Sequence, residues 1–375
     1  MKDRIVFFGG KLLTSSEIRN CPRNDHTRNE NLVTQPLRRQ KIFNEPYIIT
    51  KGWYPICRSK NLKLKTAKSF NILKQRIVLY RGEDGKAYAL DSFCPHMGAD
   101  LGNGEVKSSN IRCFFHHWEF NASGEVESPS CLKEKTTSEK TKLNAYPVEE
   151  KYNHIWVFSD GIKTHDVPTP PALQSFDISS YFFKRVRLFA HHHIMMTNGI
   201  DLQHFKSVHD LDVKFDCHIK EHGDSQFEWT LEGEIPSHKM YLKFARFVLG
   251  AKFRYKVLFS GGSVTSISYG FNQRWRGKGR ELPAINILWG GIPTIDGVSE
   301  VDIFFIYKKY KGFLAPLKSL ATFLLSMIVL GILKDDDIKA FPHMRYNVGH
   351  FTAEDSSVSK FIQLTNNLEV SNWTN

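Results

Sequence analysis

Two short Cys/His motifs between residues 93 and 120 constrain this chain more than any other feature. The first offers Cys94 and His96 and the second offers Cys113 and His116, with sixteen residues between the motifs. Thiolates and imidazoles are strong ligands for transition metals, so this pattern indicates a metal centre. Structural zinc is the simplest alternative, but zinc ligands usually come as Cys-x2-4-Cys or His-x3-5-His pairs. The one-residue spacer between Cys94 and His96 does not fit that spacing.

An iron-sulfur centre fits the motifs better. In a Rieske 2Fe-2S centre two Cys hold one iron and two His hold the other, so each of two loops provides one Cys and one His. The stretches CPHMGADLGNGEV and CFFHHWEFNASGEV resemble the two cluster-binding loops of Rieske proteins, including Gly98 and Trp118 beside the ligands. The resemblance gives no ligand role to His117. The cluster ligands that it implies are Cys94, His96, Cys113 and His116.

The loops also indicate which branch of Rieske proteins the chain resembles. Respiratory members carry a further Cys in each loop, and here those places hold Ala99 and Phe115. The loops therefore resemble the ferredoxin and oxygenase branch. A stand-alone electron carrier needs only the first part of the chain, so the remaining residues must have another function.

A second motif lies at residues 198–211, NGIDLQHFKSVHDL. Taken alone, two His five residues apart do not align on a regular helix as well as two that are four apart. The stretch nevertheless resembles the Asn-x-x-Asp-x-x-His-x4-His signature of Rieske non-haem iron oxygenases. The matching positions are Asn198, Asp201, His204 and His209. The resemblance implies that both His bind a mononuclear Fe(II).

Such iron sites use two His and one carboxylate, which leaves positions open for dioxygen and substrate. The stretch LKDDDIKAFPHMRY, expected to follow a long apolar helix directly, offers Asp335, Asp336 and Asp337. In the family the carboxylate precedes Ile or Val, and this resemblance implies Asp337. The match is broken by Pro342 and the residues before it, so Asp336 stays open as the ligand.

The resemblance also implies a mechanism and partners. A separate NAD(P)H-dependent reductase or ferredoxin supplies electrons, because the sequence has no Gly-rich dinucleotide loop after a strand. Asp201 then links a cluster His of one subunit to the iron site of its neighbour, which implies a homo-oligomer, commonly a trimer. Asp201 and Asn198 are the predicted catalytic residues. Dioxygen and an apolar or aromatic small molecule are the implied substrates, with no nucleic acid partner.

The reaction and the substrate stay open at this point. Hydroxylation, N-oxygenation, demethylation and desaturation are all compatible with the motifs, and the run from His116 to Trp118 resembles aminopyrrolnitrin oxygenase. The alternative is a Rieske electron carrier fused to a ligand-binding domain without catalytic iron.

The predicted fold is α+β, with an N-terminal all-β Rieske domain and a C-terminal antiparallel-sheet domain that carries helices on one face, helix-grip-like. The predicted parts are a flexible extension (1–45), the Rieske domain (46–165), a Pro-rich linker (166–173) and the mononuclear iron domain (174–375). The run His191 to His193 is expected on a half-exposed strand, where neighbouring side chains point to opposite faces.

Charge and cysteine content complete the expectations. Net charge is +12, and the basic residues are scattered, which favours a generic basic surface or an acidic electron-carrier partner. Six Cys in 375 residues are too few for a disulfide scaffold, which favours a cytoplasmic location. The apolar stretch 319–333 is shorter than a membrane span requires, so a buried helix is expected, with membrane contact as the lesser alternative.

Overall fold

The computed structural model describes residues 6–8, 11–13, 42–127, 139–208, 212–238, 240, 243, 246–247, 250–270, 284–295, 297–340, 346 and 350–374. The chain divides into two units, Met1–Arg39 and Gln40–Asn375. In the first unit, β1 (Val6–Phe8) and β2 (Lys11–Leu13) form a short antiparallel hairpin. The second unit contains both sequence motifs.

The first part of the second unit is all β, as predicted. Its strands form three antiparallel sheets, with the orders β10-β6-β5-β4, β11-β12-β3 and β7-β8-β9. The turn at residues 83–85 joins β5 to β6. The strands are β3 (Trp53–Arg58), β4 (Ala67–Ile72), β5 (Gln75–Arg81), β6 (Ala87–Asp91), β7 (Glu105–Lys107), β8 (Asn110–Arg112), β9 (Glu119–Phe120), β10 (Ala145–Tyr146), β11 (Val148–Lys151) and β12 (His154–Phe158).

The second part is built on a seven-stranded antiparallel sheet with the order β13-β19-β18-β17-β16-β15-β14. The predicted α+β class is therefore confirmed. The edge strand β14 was not predicted, because most of its side chains are exposed and it lacks a strong apolar alternation. The strands are β13 (Ile178–Leu188), β14 (Phe215–His222), β15 (Gln226–Glu234), β16 (Lys252–Ser260), β17 (Val264–Tyr269), β18 (Ile285–Pro293) and β19 (Ser299–Lys308).

Four helices of this part position the second motif: α1 (His192–Asn198), α2 (Leu202–Ser207), α3 (Ala315–Ala340) and α4 (Ser356–Asn366). The long helix α3 packs against β18 and β19. It extends through residues 335–337, which corrects the expectation that these acids follow the helix; no Gly or Pro lies between Gly331 and Pro342. In the part of the chain described above, none of the helices has both the length and the apolar character of a membrane-spanning segment.

Two polar and backbone contacts join the halves of the second unit. Arg185 on β13 donates to both carboxylate oxygens of the fully buried Asp302 at 2.7 Å, and it also donates to the carbonyls of Pro55 and Ile56 on β3. At a second place the backbone of Gly52 meets that of Gly261 so closely that a Cβ on Gly52 would lie 2.8 Å from the Gly261 carbonyl. The halves therefore share a tightly packed boundary.

The segment after α4 returns to the first half. Trp373 is 1% exposed and packs with Tyr54 and Tyr146 in the core beneath β3. The Asn366 side chain also accepts hydrogen bonds from the backbone N–H groups of Ile42 and Phe43. Both of these residues are buried, so residues 42 and 43 are part of this packed unit, and the predicted limits of the extension stay a prediction.

Candidate metal centres

The two Cys/His loops have the same backbone fold. Each loop is closed by a hydrogen bond from the N–H four residues after the Cys to the Cys carbonyl, at 2.8 Å for Gly98 and 3.1 Å for His117. In each, the Cys N–H donates to the carbonyl five residues later, on Ala99 or Trp118. Gly98 and His117 occupy equivalent positions and both have positive φ, +76° and +60°. His117 thus stands where the first loop needs a glycine.

The loops bring the four predicted cluster ligands together. Cys94 and Cys113 are both 2% exposed, and their thiol groups are within hydrogen-bonding reach of each other. The rings of His96 and His116 lie above them toward the surface, with centroids 4.6 Å apart. The His96 ring stacks on Trp118 at 4.8 Å with an interplanar angle of 3°. Two adjacent thiols and two adjacent imidazoles are the donor set that a Rieske cluster requires, so these residues fit it.

Burial alone would keep the Cys94 sulfur atom protonated. It raises the pKa of Cys94 to about 11, although the backbone N–H groups of His96 and Met97 act in the opposite direction. A bound metal cation reverses this balance, because a coordinating thiol loses its proton. The loops therefore suit a metal centre better than a pair of reactive free thiols.

Asp100 supports the first loop from behind. One carboxylate oxygen accepts hydrogen bonds from Ser69, Ser92 and the N–H of Gly102, and the other accepts two from Arg76. Burial raises the pKa of this carboxyl, but the hydrogen bonds prevail and lower it to about 2. Local sequence patterns do not indicate this role of Asp100, because the residues that donate to its carboxylate come from β4, β5 and the loop itself.

The second motif forms a break between two helices. Asn198 ends α1, and Asp201 caps α2 by accepting a hydrogen bond from the backbone N–H of His204 at 3.1 Å. The structure therefore brings Asp201 and His204 together at one helix start. His209 lies outside the described residues, and Asp337 lies on α3 with a side chain that the structure does not describe. The iron ligand set stays a prediction.

Two residues that the sequence did not reveal hold this break in place. The Tyr255 hydroxyl donates to the carbonyl of Gly199, and the Ser357 hydroxyl donates to the carbonyl of Ile200 at 2.6 Å. Both carbonyls are buried between α1 and α2, where an unpaired acceptor would be costly. Tyr255 comes from β16 and Ser357 from α4, so only the tertiary fold shows their role.

The run His191 to His193 is not a strand, which corrects the expectation above. His191 caps α1 and the other two form its first turn, with all three rings buried. Their nitrogen atoms lie within 4.8 Å of one another. His193 accepts from the Asn44 N–H through Nδ1 and contacts the Gly262 carbonyl through Nε2, and His192 Nε2 contacts the same carbonyl. Nε2 of His192 and of His193 donates to that carbonyl, and Nδ1 of His191 and of His193 accepts a backbone N–H, so these four nitrogens serve the fold. Among the described residues, the buried His191 Nε2 has no hydrogen-bond partner.

The first half of the second unit resembles a known family of domains. Residues 52–147 match the family model of the Rieske [2Fe-2S] domain. The chain is related to the Rieske oxygenases. It is 34% identical over 164 residues to cholesterol 7-desaturase nvd of Bombyx mori, covering 42% of this chain and 35% of that protein. It is 27% identical over 187 residues to 4beta-methylsterol monooxygenase of Methylococcus capsulatus, covering 47% and 49%.

Solved structures of other proteins resemble this chain over most of its length. Dicamba monooxygenase bound to dicamba has a TM-score of 0.56 at 17% identity, covering 84% of this chain and 97% of that one. Pseudomonas putida CBB5 NdmB has a TM-score of 0.59 at 15% identity, covering 86% and 93%. By sequence, the chain spans about a third to a half of the two curated relatives above. The predicted resemblance and the two-part fold are confirmed.

Proposed function

We propose that this protein is the terminal oxygenase component of a Rieske system. It uses O2 and electrons from a separate NAD(P)H-dependent reductase or ferredoxin to oxidise an apolar small molecule. The observation that carries the proposal is the convergence of two buried thiols and two adjacent imidazoles in paired loops, in one unit with the Asp201–His204 helix start. A carrier alone would not require the seven-stranded sheet and the helix break built on it.

The residues have separate roles in this function. Cys94, His96, Cys113 and His116 would hold the 2Fe-2S cluster, which supplies electrons one at a time. His204, His209 and Asp337 would hold the mononuclear Fe(II), which supplies the reactivity toward O2. Asp201 positions His204 by capping its helix through one carboxylate oxygen. Asn198 ends the preceding helix, next to the Gly199 carbonyl that Tyr255 holds.

A homo-oligomer, with a trimer favoured, is part of the proposal. The cluster loops carry four large apolar side chains that are each at least half exposed, although they surround a polar centre. Exposed apolar patches of this kind mark interaction surfaces. The patch consists of Phe93, Met97, Phe114 and Phe115. A neighbouring subunit or the reductase would cover it, and either would bring a redox partner next to His96 and His116.

A sterol is the substrate class that the relatives favour. Two of them are named for reactions on cholesterol and on a 4β-methylsterol. The second half also offers an apolar interior, since a large core cluster from Met196 to Leu368 lies beside the helix break. We therefore propose desaturation or hydroxylation of a sterol. Arylamine N-oxygenation stays a prediction without further support.

The test starts with the metal content of anaerobically purified protein. We expect about three irons and two acid-labile sulfides per chain. With a reductase and cholesterol, the protein should form an oxidised sterol. His204→Ala should reduce the iron content to about two, abolish product and leave cluster reduction unchanged, whereas His218→Ala on the exposed edge strand should change nothing.

Other outcomes would contradict the proposal. Two irons and two sulfides in the wild type after Fe(II) reconstitution would favour an electron carrier fused to a non-catalytic domain. Product formation that survives His204→Ala would remove the proposed iron site. Zinc without sulfide would exclude both readings.

A further inference from the structure

Helix α3 turns two small polar side chains toward the sheet and several leucines toward the surface. Thr322 and Ser326 face the sheet and are 4% and 3% exposed. Their hydroxyls are satisfied locally, by Tyr310 and by backbone carbonyls of the helix. Phe323 completes the inner contact by packing edge-on against Tyr181 and Phe305. Two small polar side chains of this helix, Thr322 and Ser326, are therefore buried, while its described leucines, up to Leu325, point outward.

The outer side of the same helix is a stripe of leucines, which we term the leucine face. Leu317, Leu320 and Leu324 recur at three- and four-residue intervals on α3, so they lie on one side over about 11 Å of helix, with Leu325 beside Leu324 and Leu314 just before the helix. Phe313, just before the helix, is 98% exposed and extends the stripe. The leucine face consists of Leu314, Leu317, Leu320, Leu324 and Leu325, each between 41% and 64% exposed.

The chain around the leucine face is basic and lacks acids. From Lys308 to Lys334 there is no Asp or Glu, and five lysines occur in those 27 residues. Lys308 lies over the Phe176 ring at 3.9 Å, and Lys311 is 83% exposed although it pairs with Asp177 at 3.4 Å. Lys309 is exposed and Lys318 is half-buried one turn into the helix. These four lysines, which we term the lysine collar, lie at the N-terminal end of the leucine face.

We infer that the leucine face and its lysine collar bind the surface of a bilayer that contains anionic phospholipid. A helix with leucines on one side and lysines beside them lies in the interface, with the apolar side chains among the acyl chains and the ammonium groups at the phosphates. Juxtamembrane lysines strengthen such binding through the negative surface potential. A second copy of the chain is the alternative occupant, and the oligomeric state of the wild type and of the leucine variant distinguishes it from a bilayer.

The inference is independent of catalysis, but it complements the proposed substrate. A sterol dissolves in the bilayer, and α3 continues from the leucine face to residues 335–337, where the predicted iron ligand lies. The thirteen residues from Leu325 to Asp337 span about 18 Å of helix. A bilayer at the leucine face would therefore present its contents near the end of the molecule that carries the predicted iron site.

Vesicle flotation tests the inference without any turnover. The full-length protein is mixed with vesicles of phosphatidylcholine alone or with 30% phosphatidylserine (about one lipid in three). We expect binding to the anionic vesicles, weaker binding to the neutral ones and a decrease as salt is raised. The triple variant L317Q/L320Q/L324Q should bind at least tenfold more weakly. The variant K308Q/K309Q/K311Q should lose about a hundredfold on anionic vesicles only.

Matched controls keep the result specific. L64Q/I162Q/I295Q removes three exposed aliphatic side chains elsewhere, and K60Q/K63Q/K86Q removes three exposed lysines elsewhere; both should bind as the wild type does. Circular dichroism and thermal unfolding establish that each variant is folded. Equal losses in the controls, or no binding of the folded wild type to anionic vesicles, would overturn the inference. So would a wild-type oligomer that dissociates in L317Q/L320Q/L324Q, because that assigns the leucine face to a second copy.

Discussion

His117 shows how a residue beside a ligand can serve the backbone alone. Its position in the second loop matches that of Gly98 in the first, and both have a left-handed backbone that costs most residues about 1 kcal/mol. A third histidine in the motif therefore need not imply a third ligand. The sequence motif selects His116, and the loop geometry gives a physical reason why His117 is turned away from that role.

Replacing His117 by glycine should be harmless, because glycine adopts positive φ without strain. We expect His117→Gly to keep the full sulfide content and the Rieske absorption, with equal or slightly higher stability. His116→Gly should lose the cluster. Loss of the cluster in both variants, measured by sulfide analysis and EPR, would contradict the assignment of His116 alone.

The buried histidines of α1 should make the protein sensitive to mild acid. Burial lowers the pKa of His192 to about 4 and lowers those of His191 and His193 further, whereas unfolded histidines titrate near 6.5. Below pH 6.5 the unfolded state therefore binds protons that the folded state does not. The stabilising contribution of these histidines is fully present above pH 6.5. The free energy of unfolding falls as the pH is lowered toward 4, by up to about 1.4 kcal/mol per pH unit for each such histidine.

Urea unfolding from pH 7.5 to 5 measures this effect. His192→Gln keeps a donor for the Gly262 carbonyl but cannot be protonated, so its stability should fall less steeply with acid than that of the wild type. A wild-type stability that is constant between pH 6.5 and 5 would exclude neutral burial of the cluster.

At the scale of elements, the sequence predicted what depends on local patterns. The antiparallel sheets and the long helix agree with the predicted α+β fold, because apolar runs in the sequence indicate them. Local patterns did not predict the edge strand β14 or the two-helix form of the second motif, because their geometry depends on neighbours. The break at residues 199–201 exists because Tyr255 and Ser357 take up its carbonyls, and no local pattern encodes partners from β16 and α4.

Helix α3 failed prediction for a different reason. Its apolar run was expected to be buried, but hydrophobicity does not reveal which face of a helix meets the sheet. Phe323 and Met327 meet the core together with the buried Thr322, which leaves the leucines outside. The carboxylate ligand, Asp337 or Asp336, stays a prediction, since the structure does not describe these side chains.

Tyr255→Phe tests the helix break. It removes the hydroxyl that donates to the Gly199 carbonyl and leaves that acceptor buried, at a cost of about 1–3 kcal/mol. If the break positions His204, bound mononuclear iron should fall while acid-labile sulfide stays constant. Tyr181→Phe, at a half-exposed tyrosine on β13, is the control and should change neither. A Tyr255→Phe protein with wild-type stability and iron would show that the hydroxyl has no positioning role.

At the scale of the molecule, the two halves behave as one folded body. Arg185 and Asp302 join β13 and β19 to β3, and the Gly52–Gly261 contact leaves no room for a side chain. Trp373, from the second half of the sequence, completes the core of the first half. The domain limits read from the sequence, 46–165 and 174–375, stay predictions as limits, but they do not describe separate cores.

Trp373→Ala should therefore destabilise the first half. The loss of a fully buried tryptophan costs about 3–5 kcal/mol, and we expect cluster content and unfolding temperature to fall together. Phe351→Ala, at a partly exposed aromatic near α4, should cost far less. Cluster loss in Phe351→Ala equal to that in Trp373→Ala would argue against a specific role for the returning segment.

The returning segment also sets the order in which the chain can mature on the ribosome. Thr374 bonds to the backbone of Ile49, and these residues are 325 positions apart. Domains commonly fold as they emerge during synthesis. Here the core beneath β3 cannot close until the segment around Trp373 has been translated, so the cluster loops lack part of their support until that segment has emerged. Cluster insertion that depends on this core therefore follows the synthesis of the segment around Trp373.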